Sequence, residues 1–109
     1  MNRKELGNFG EKKAAEILET KGYKILTRNY KCKMGELDII ARKGYTIVFV
    51  EVKTRSNLKY GIPAEAVNNQ KRVHMHRTAT YYMTTNRITN VNVRFDVIEI
   101  YINHIEQVF

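Results

Sequence analysis

The chain has 109 residues with one proline and one cysteine, and its 19 Lys and Arg against 11 Asp and Glu leave a formal charge of +8. A chain of this size removes roughly two-thirds of its unfolded surface from water, enough for one core, so a two-domain enzyme is excluded and one domain over residues 1–109 is expected. With 43% hydrophobic and 28% charged residues it has the composition of a folding chain and not of a disordered one.

Leu6, Gly10, Ala14, Ile17 and Leu18 recur at helical spacing, with Glu5, Lys12, Glu16 and Glu19 opposite. Gly22 stands where a C-terminal cap belongs, so the first helix is predicted from about residue 5 to 21. Tyr23 to Tyr30 has strand composition, and Leu37 to Ala41 and Thr46 to Lys53 follow as a hairpin separated by Arg42, Lys43, Gly44 and Tyr45. Residues 64 to 84 lack Gly and Pro and place Val67, Met75, Thr78, Ala79 and Tyr82 on one stripe, the pattern of a second long helix. Val91 to Ile102 reads as a strand, with a short optional continuation through Ile105 and Val108. The order αβββαβ(β) predicts an α/β domain with a central mixed sheet flanked by helices.

Cys32 has no partner for a disulfide, and no apolar run approaches the length of a membrane span. Met1 to Glu5 leads into a mixed-charge helix where a signal peptide would have its apolar stretch, so a cytoplasmic, non-membrane protein is expected. A pI near 9.7 favours a polyanionic partner, although excess charge also serves solubility.

Ile47, Val48, Phe49, Val50 and Val52 are apolar on both alternating faces, as in a strand covered on both sides. Yet Glu51 and Lys53 emerge together at its end, on the face of Ile47 and Phe49. Taken alone they read as a terminal ion pair. The preceding strand carries Glu36 and Asp38, with Leu37 and Ile39 assigned to its other face. A turn over Arg42 to Tyr45 sets Glu36 opposite Glu51 with Asp38 on the diagonal, and a register whose pairing sum is larger by two sets Asp38 opposite Glu51. Carboxylates converge in either register. A cluster held against like-charge repulsion suits a hard cation such as Mg²⁺, and a lysine beside it can orient water or offset negative charge.

Glu11 falls within the apolar arc of the first helix, either as a member of this cluster or as a margin residue reaching solvent. Lys71 interrupts the stripe of the second helix, where a snorkelling lysine is the plain explanation. His74 and His76 point to different faces of a helix and do not suggest a metal site, and the tyrosines at 81 and 82 read as core and rim. Asp96 reads as a buried hydrogen-bonding or ion-pairing residue, with an approach to the same site as the alternative.

Gly35-Glu36-Leu37-Asp38-Ile39-Ile40, followed by Val48-Phe49-Val50-Glu51-Val52-Lys53, resembles the YraN-like family of small bacterial proteins. The likeness extends through Gly7 to Glu11, Arg28-Asn29-Tyr30, Thr54-Arg55, Gly61-Ile62-Pro63 and Arg94-Phe95-Asp96-Val97. That family is grouped with restriction-endonuclease-like nucleases and is most similar to Holliday junction resolvases, whose pattern is a helix glutamate, an aspartate and Glu-x-Lys. The resemblance implies those roles for Glu11, Asp38, Glu51 and Lys53. The pattern often has proline before its aspartate, where this chain has Leu37 with Glu36 one position earlier.

The expectation is therefore a Mg²⁺- or Mn²⁺-dependent nuclease acting on DNA ahead of RNA, with branched or junction DNA as a candidate substrate and a homodimer where junction specificity requires one. Asp38 and Glu51 are the expected metal ligands, Lys53 positions the nucleophile, and Glu36 or Glu11 supports the metal shell. Arg55, Lys59, Lys71 and Arg72 are candidate phosphate contacts. The alternative is a nucleic-acid-binding module that keeps the nuclease fold without turnover.

Overall fold

The computed structural model describes residues 1–56 and 68–109. The expectations placed on Lys59, on Gly61-Ile62-Pro63 and on Val67 lie outside the described residues. The elements are α1 (Arg3–Thr20), β1 (Lys24–Cys32), β2 (Gly35–Lys43), β3 (Thr46–Arg55), α2 (Asn69–Thr85) and β4 (Asn92–Tyr101). The sheet order is β1-β2-β3-β4, antiparallel from β1 to β3 and parallel between β3 and β4. This is the α/β order predicted from the sequence, without the optional last strand. Residues 102–109 form none, and Ile105 and Val108 are 68% and 70% exposed.

Both helices begin at an asparagine whose side chain accepts a free N–H of the first turn. Asn2 accepts from Glu5 N at 2.8 Å and Asn68 from Lys71 N at 2.9 Å. α1 is capped by Lys21, and Gly22, at φ 90, turns the chain into β1. The hairpin between β2 and β3 is tighter than a turn over Arg42 to Tyr45. Lys43 pairs with Thr46, leaving only Gly44 and Tyr45 in the turn, and Gly44 takes φ 59. Glycine at the first of two turn residues suits a primed turn, whose twist matches the strands. The register is therefore the second one considered, with Ala41 opposite Val48 rather than Thr46.

β3 is the axis of the fold. Ile47 to Val50 are fully buried, and the strand carries a hydrophobic cluster on each face. On one face Val48 and Val50 join Ile39 and Ala41 under Ala14, Ala15 and Leu18 of α1. On the other, Ile47 and Phe49 join Leu37 and Ile40 under Met75 and Ala79 of α2. Tyr82 sits edge-on to both Tyr30 and Phe49, a core role as expected. Ile17, predicted for the buried stripe, is 38% exposed because the buried arc of α1 runs through Gly10, Glu11, Ala14, Ala15 and Leu18.

Gly10 sets how closely α1 approaches β3, since a Cβ there would overlap the Thr54 side chain, including its Cβ. A Cβ at Gly7, one turn earlier, would meet nothing within 4 Å. Gly10→Ala should therefore destabilise the protein by about 1–3 kcal/mol through overpacking. Gly7→Ala should stabilise it by up to about 1 kcal/mol through helix propensity alone. Urea unfolding of the two variants beside the parent measures both, and equal effects would remove the close approach as the cause.

Candidate active site

The site forms where the sheet's ladders break. Between β2 and β3 the last pair is Ile39 with Val50. Between β1 and β2 the pairs run from Arg28 with Ile39 to Tyr30 with Leu37, and they skip Asn29 and Asp38. Asn29 takes φ 53 at this step, a left-handed conformation that asparagine tolerates better than most side chains. Alternation is broken as a result: Ile39 packs under α1 while Leu37 packs under α2. The expectation that Leu37 and Ile39 share a face is corrected here, because a local twist of the β1/β2 ribbon separates them. Asp38, at the twist, accepts the Val52 N–H at 2.7 Å through Oδ2, so a carboxylate satisfies a backbone donor where the β2–β3 ladder has ended.

Glu11 of α1 is 7% exposed. Arg28 Nε lies 3.5 Å from its Oε1, too far for a full hydrogen bond, and that buried oxygen has no hydrogen-bond partner. Burial pushes the Glu11 carboxyl above its ordinary range, with Arg28 and the Asn29 side chain opposing. Glu51, on the α2 side of β3, is 6% exposed, and its Oε1 faces Lys71 Nζ at 2.9 Å and Lys53 Nζ at 3.4 Å. Asp38 is pushed up to about 6, first by burial and then by the charges of Glu51 and Glu11, against the Val52 hydrogen bond and Lys71. Glu11, Asp38 and Lys53 line one groove of about 760 Å³, with Arg3, Lys4, Asn8 and Arg55 also on its walls.

Among the described residues, no group of three or more His, Cys, Asp or Glu side chains closes around a single metal position. The donor chemistry nevertheless suits a hard divalent cation. Glu11 and Asp38 bring carboxylate oxygens to one groove, and the buried Glu11 oxygen has only the guanidinium at 3.5 Å and no hydrogen bond to satisfy it. Glu51 does not line the groove and already has two ammonium groups at one oxygen, so its use as a ligand involves exchanging at least one of them.

The remaining expected residues are dispersed. Glu36 is exposed, stands opposite Lys31 and does not line the groove. Arg72 is exposed and borders a different hollow, with Val73, Met75 and Phe95. Arg55 lines the groove, whereas Lys71 is ion-paired with Glu51. Asp96 is half-buried, held by Arg94 at 2.8 and 3.0 Å, and Arg94 also donates to the Tyr23 hydroxyl at 2.6 Å. Its approach to the site is thus corrected: it is held by Arg94 and does not line the groove. Sequence reasoning missed the Arg28 to Glu11 contact, which depends on the twist at Asn29, and the Lys71 to Glu51 pair, which depends on how α2 docks. Lys4 was legible, since Lys4, Gly7 and Glu11 follow the i, i+3, i+7 spacing of one helix face.

The profile of the family described as "Uncharacterised protein family UPF0102" matches residues 10–100. A UPF0102 protein of Caldicellulosiruptor saccharolyticus is 54% identical over 103 residues, covering 94% of this chain and 87% of its own length. One from Clostridioides difficile is 51% identical over 114 residues, covering both chains in full, and one from Moorella thermoacetica is 43% identical over 108 residues, covering 99% and 90%.

The raised pKa of Asp38 has a stability consequence with a definite sign. A folded value near 6 against 3.8 means the native state holds a proton that the unfolded chain has released between those pH values. The stabilisation is complete below about pH 4 and is lost as pH rises through 6. Without divalent cation, Asp38→Asn should raise stability at pH 8 by on the order of 1–2 kcal/mol, allowing for solvent screening, and by little at pH 4. Urea unfolding in chelator at both pH values is the measurement, and a gain equal at both would assign the effect to something other than the charge.

Proposed function

The chain belongs to the UPF0102 family, and from this membership, its nuclease-like fold and the geometry of the groove we propose that it is a metal-dependent nuclease that hydrolyses phosphodiester bonds in DNA. The family agrees with the YraN-like, restriction-endonuclease-like resemblance of the sequence. The observation that carries the reading is the buried Glu11 oxygen, which has a guanidinium at 3.5 Å but no hydrogen bond, in a groove shared with Asp38 and Lys53. Such a group is costly to keep, and a cation would satisfy it.

In this reading Asp38 and Glu51 hold Mg²⁺ or Mn²⁺, with Glu11 in support. Such a cation would supply Lewis acidity for attack on the phosphate. Lys53, whose ammonium lies 3.4 Å from Glu51 Oε1 and lines the same groove, orients the attacking water and offsets negative charge as it develops on the phosphate. Arg3, Lys4 and Arg55 on the groove walls hold the nucleic-acid backbone, and they impose no sequence preference by themselves. Branched or junction DNA is the substrate form to test first, on the resemblance to resolvases.

A second reading rests on the two lysines at Glu51. They neutralise its charge without any metal, as a nucleic-acid-binding module with this fold and no turnover would require. Cleavage of branched, single-stranded and duplex DNA in Mg²⁺, Mn²⁺ or EDTA separates the two. Glu51→Gln should abolish cleavage while leaving DNA binding within a few-fold, and Lys53→Ala should lower turnover by roughly 10²- to 10³-fold. Absence of cation binding by calorimetry, together with no cleavage of any substrate, would favour the binding module. Binding should weaken steeply with salt in either case, because phosphate contacts release counterions. Binding that is insensitive to salt would remove nucleic acid as the partner of the basic surface.

A further inference from the structure

Among the described residues the sheet ends at β1 and β4, and these two edges are built differently. β1 carries the devices that blunt an edge: a register shift between Ile25 and Thr27, left-handed Asn29, and exposed Lys24, Arg28 and Lys31. β4 has no register shift and no left-handed residue, and its one cation, the exposed Arg94, is neutralised by Asp96 two positions on. It pairs with β3 through consecutive partners from Asn92 to Tyr101, with no bulge, no proline and no lysine. Its local charge, from Arg94, Asp96 and Glu99, is close to neutral on a chain of net +8, so a second copy would meet little repulsion there.

The orientation of β4 follows from its end contacts. Asn92 N donates to Tyr45 O and Ile102 N to Arg55 O, so the even-numbered residues turn their backbone groups toward β3. Val93, Phe95, Val97, Glu99 and Tyr101 therefore turn theirs away from the sheet. The side chains of these odd-numbered residues lie on the α2 side, where Phe95 stacks on Phe49 and faces His76. That side is poorly covered: Val93 is 44% and Phe95 40% exposed, and Val73, Phe95 and Val97 border a hollow of about 440 Å³.

We propose that the β4 edge pairs antiparallel with β4 of a second copy of this chain, joining two four-stranded sheets into one across a two-fold axis at Phe95. The strand is self-complementary about that residue. Phe95 meets its own counterpart, Val93 meets Val97 of the other copy, and Arg94 meets Asp96 of the other copy. The first two pairings lie on the α2 side and cover the exposed apolar stripe. The third lies on the α1 side and extends the Arg94–Asp96 pair already present in each copy into a four-residue charge network. Val93, Phe95 and Val97 gain hydrogen bonds for outward-facing backbone groups at the same time. Two-fold pairing of like edges closes after two copies and leaves no further β4 edge exposed.

This inference is independent of the nuclease reading, and either can fail alone. Sedimentation equilibrium of the full chain over a dilution series should return a dimer, and monomer at every concentration would overturn the proposal. Phe95→Lys and Val93→Lys should each weaken the dimer by on the order of tenfold or more while the folded circular-dichroism spectrum is retained. A dimer undisturbed by both would place the interface elsewhere and overturn the proposal. The register is read in a Cys32→Ser background by mixing Val93→Cys chains with Val97→Cys chains. Paired antiparallel residues lie about 5.5 Å apart at Cα, within disulfide reach. A disulfide between the two variants, absent when either is oxidised alone, is the expected result, and cross-linking within either variant alone would overturn the register.

Discussion

The hydrogen bond from the Val52 N–H to Asp38 Oδ2 is the constraint on which the candidate site depends. It exists because the β2–β3 ladder stops at Ile39 and Val50, so the N–H two residues further along β3 needs another acceptor. A carbonyl from a continued β2 would have supplied one at little cost. The chain supplies a carboxylate instead, and this fixes Asp38 against β3 in partly buried surroundings, within range of the charges of Glu51 and Glu11. The same local twist sends Leu37 to the α2 cluster and Ile39 to the α1 cluster, so both cores remain filled while Asp38 is turned into the groove.

The cost of gathering three acids is met unevenly. Glu51 has two ammonium groups at one oxygen, and Glu11 has a loosely placed guanidinium that leaves its buried oxygen without a hydrogen bond. Asp38 has a backbone N–H and no ion pair of its own among the described residues. Positive compensation is therefore greatest at Glu51 and weakest between Glu11 and Asp38. Lys71 carries its charge in the first turn of α2, where the helix dipole disfavours a cation, so its pairing with Glu51 offsets a local conflict as well as tying α2 to the end of β3.

How much of this could be read from the sequence depends on the range over which each feature is decided. The buried character of β3 and the emergence of Glu51 at its end are local, and the run from Ile47 to Val52 announces both. Glu11 was legible as a carboxylate within an apolar arc, because helical periodicity alone places it beside Ala15 and Leu18. The hairpin register was open between two values, since Gly44 permits a two-residue turn but Arg42 and Lys43 look equally like loop residues. The twist at Asn29 and Asp38 was not legible. It shows in the sequence only as one asparagine facing one aspartate across a ladder, and strict alternation therefore assigned Leu37 and Ile39 to one face. The Lys71 pair depends on the docking of a helix from beyond the hairpin, which no spacing rule within either segment reports.

The same features bear on the choice between catalysis and binding alone. A surface that only binds nucleic acid needs cations and gains nothing from carboxylates, which repel phosphate and are costly to bury. Here the basic residues Arg3, Lys4 and Arg55 line a groove that also contains Glu11 and Asp38, so a phosphate held by the first group is brought against the second. That juxtaposition opposes binding unless a divalent cation stands between the acids and the phosphate. Glu11 and Asp38 are the residues that would hold such a cation, which would offset their repulsion of the phosphate. The acid-lined groove thus supports the catalytic reading over the binding module. The lysines at Glu51 are compatible with either, since they neutralise that carboxylate before any cation arrives.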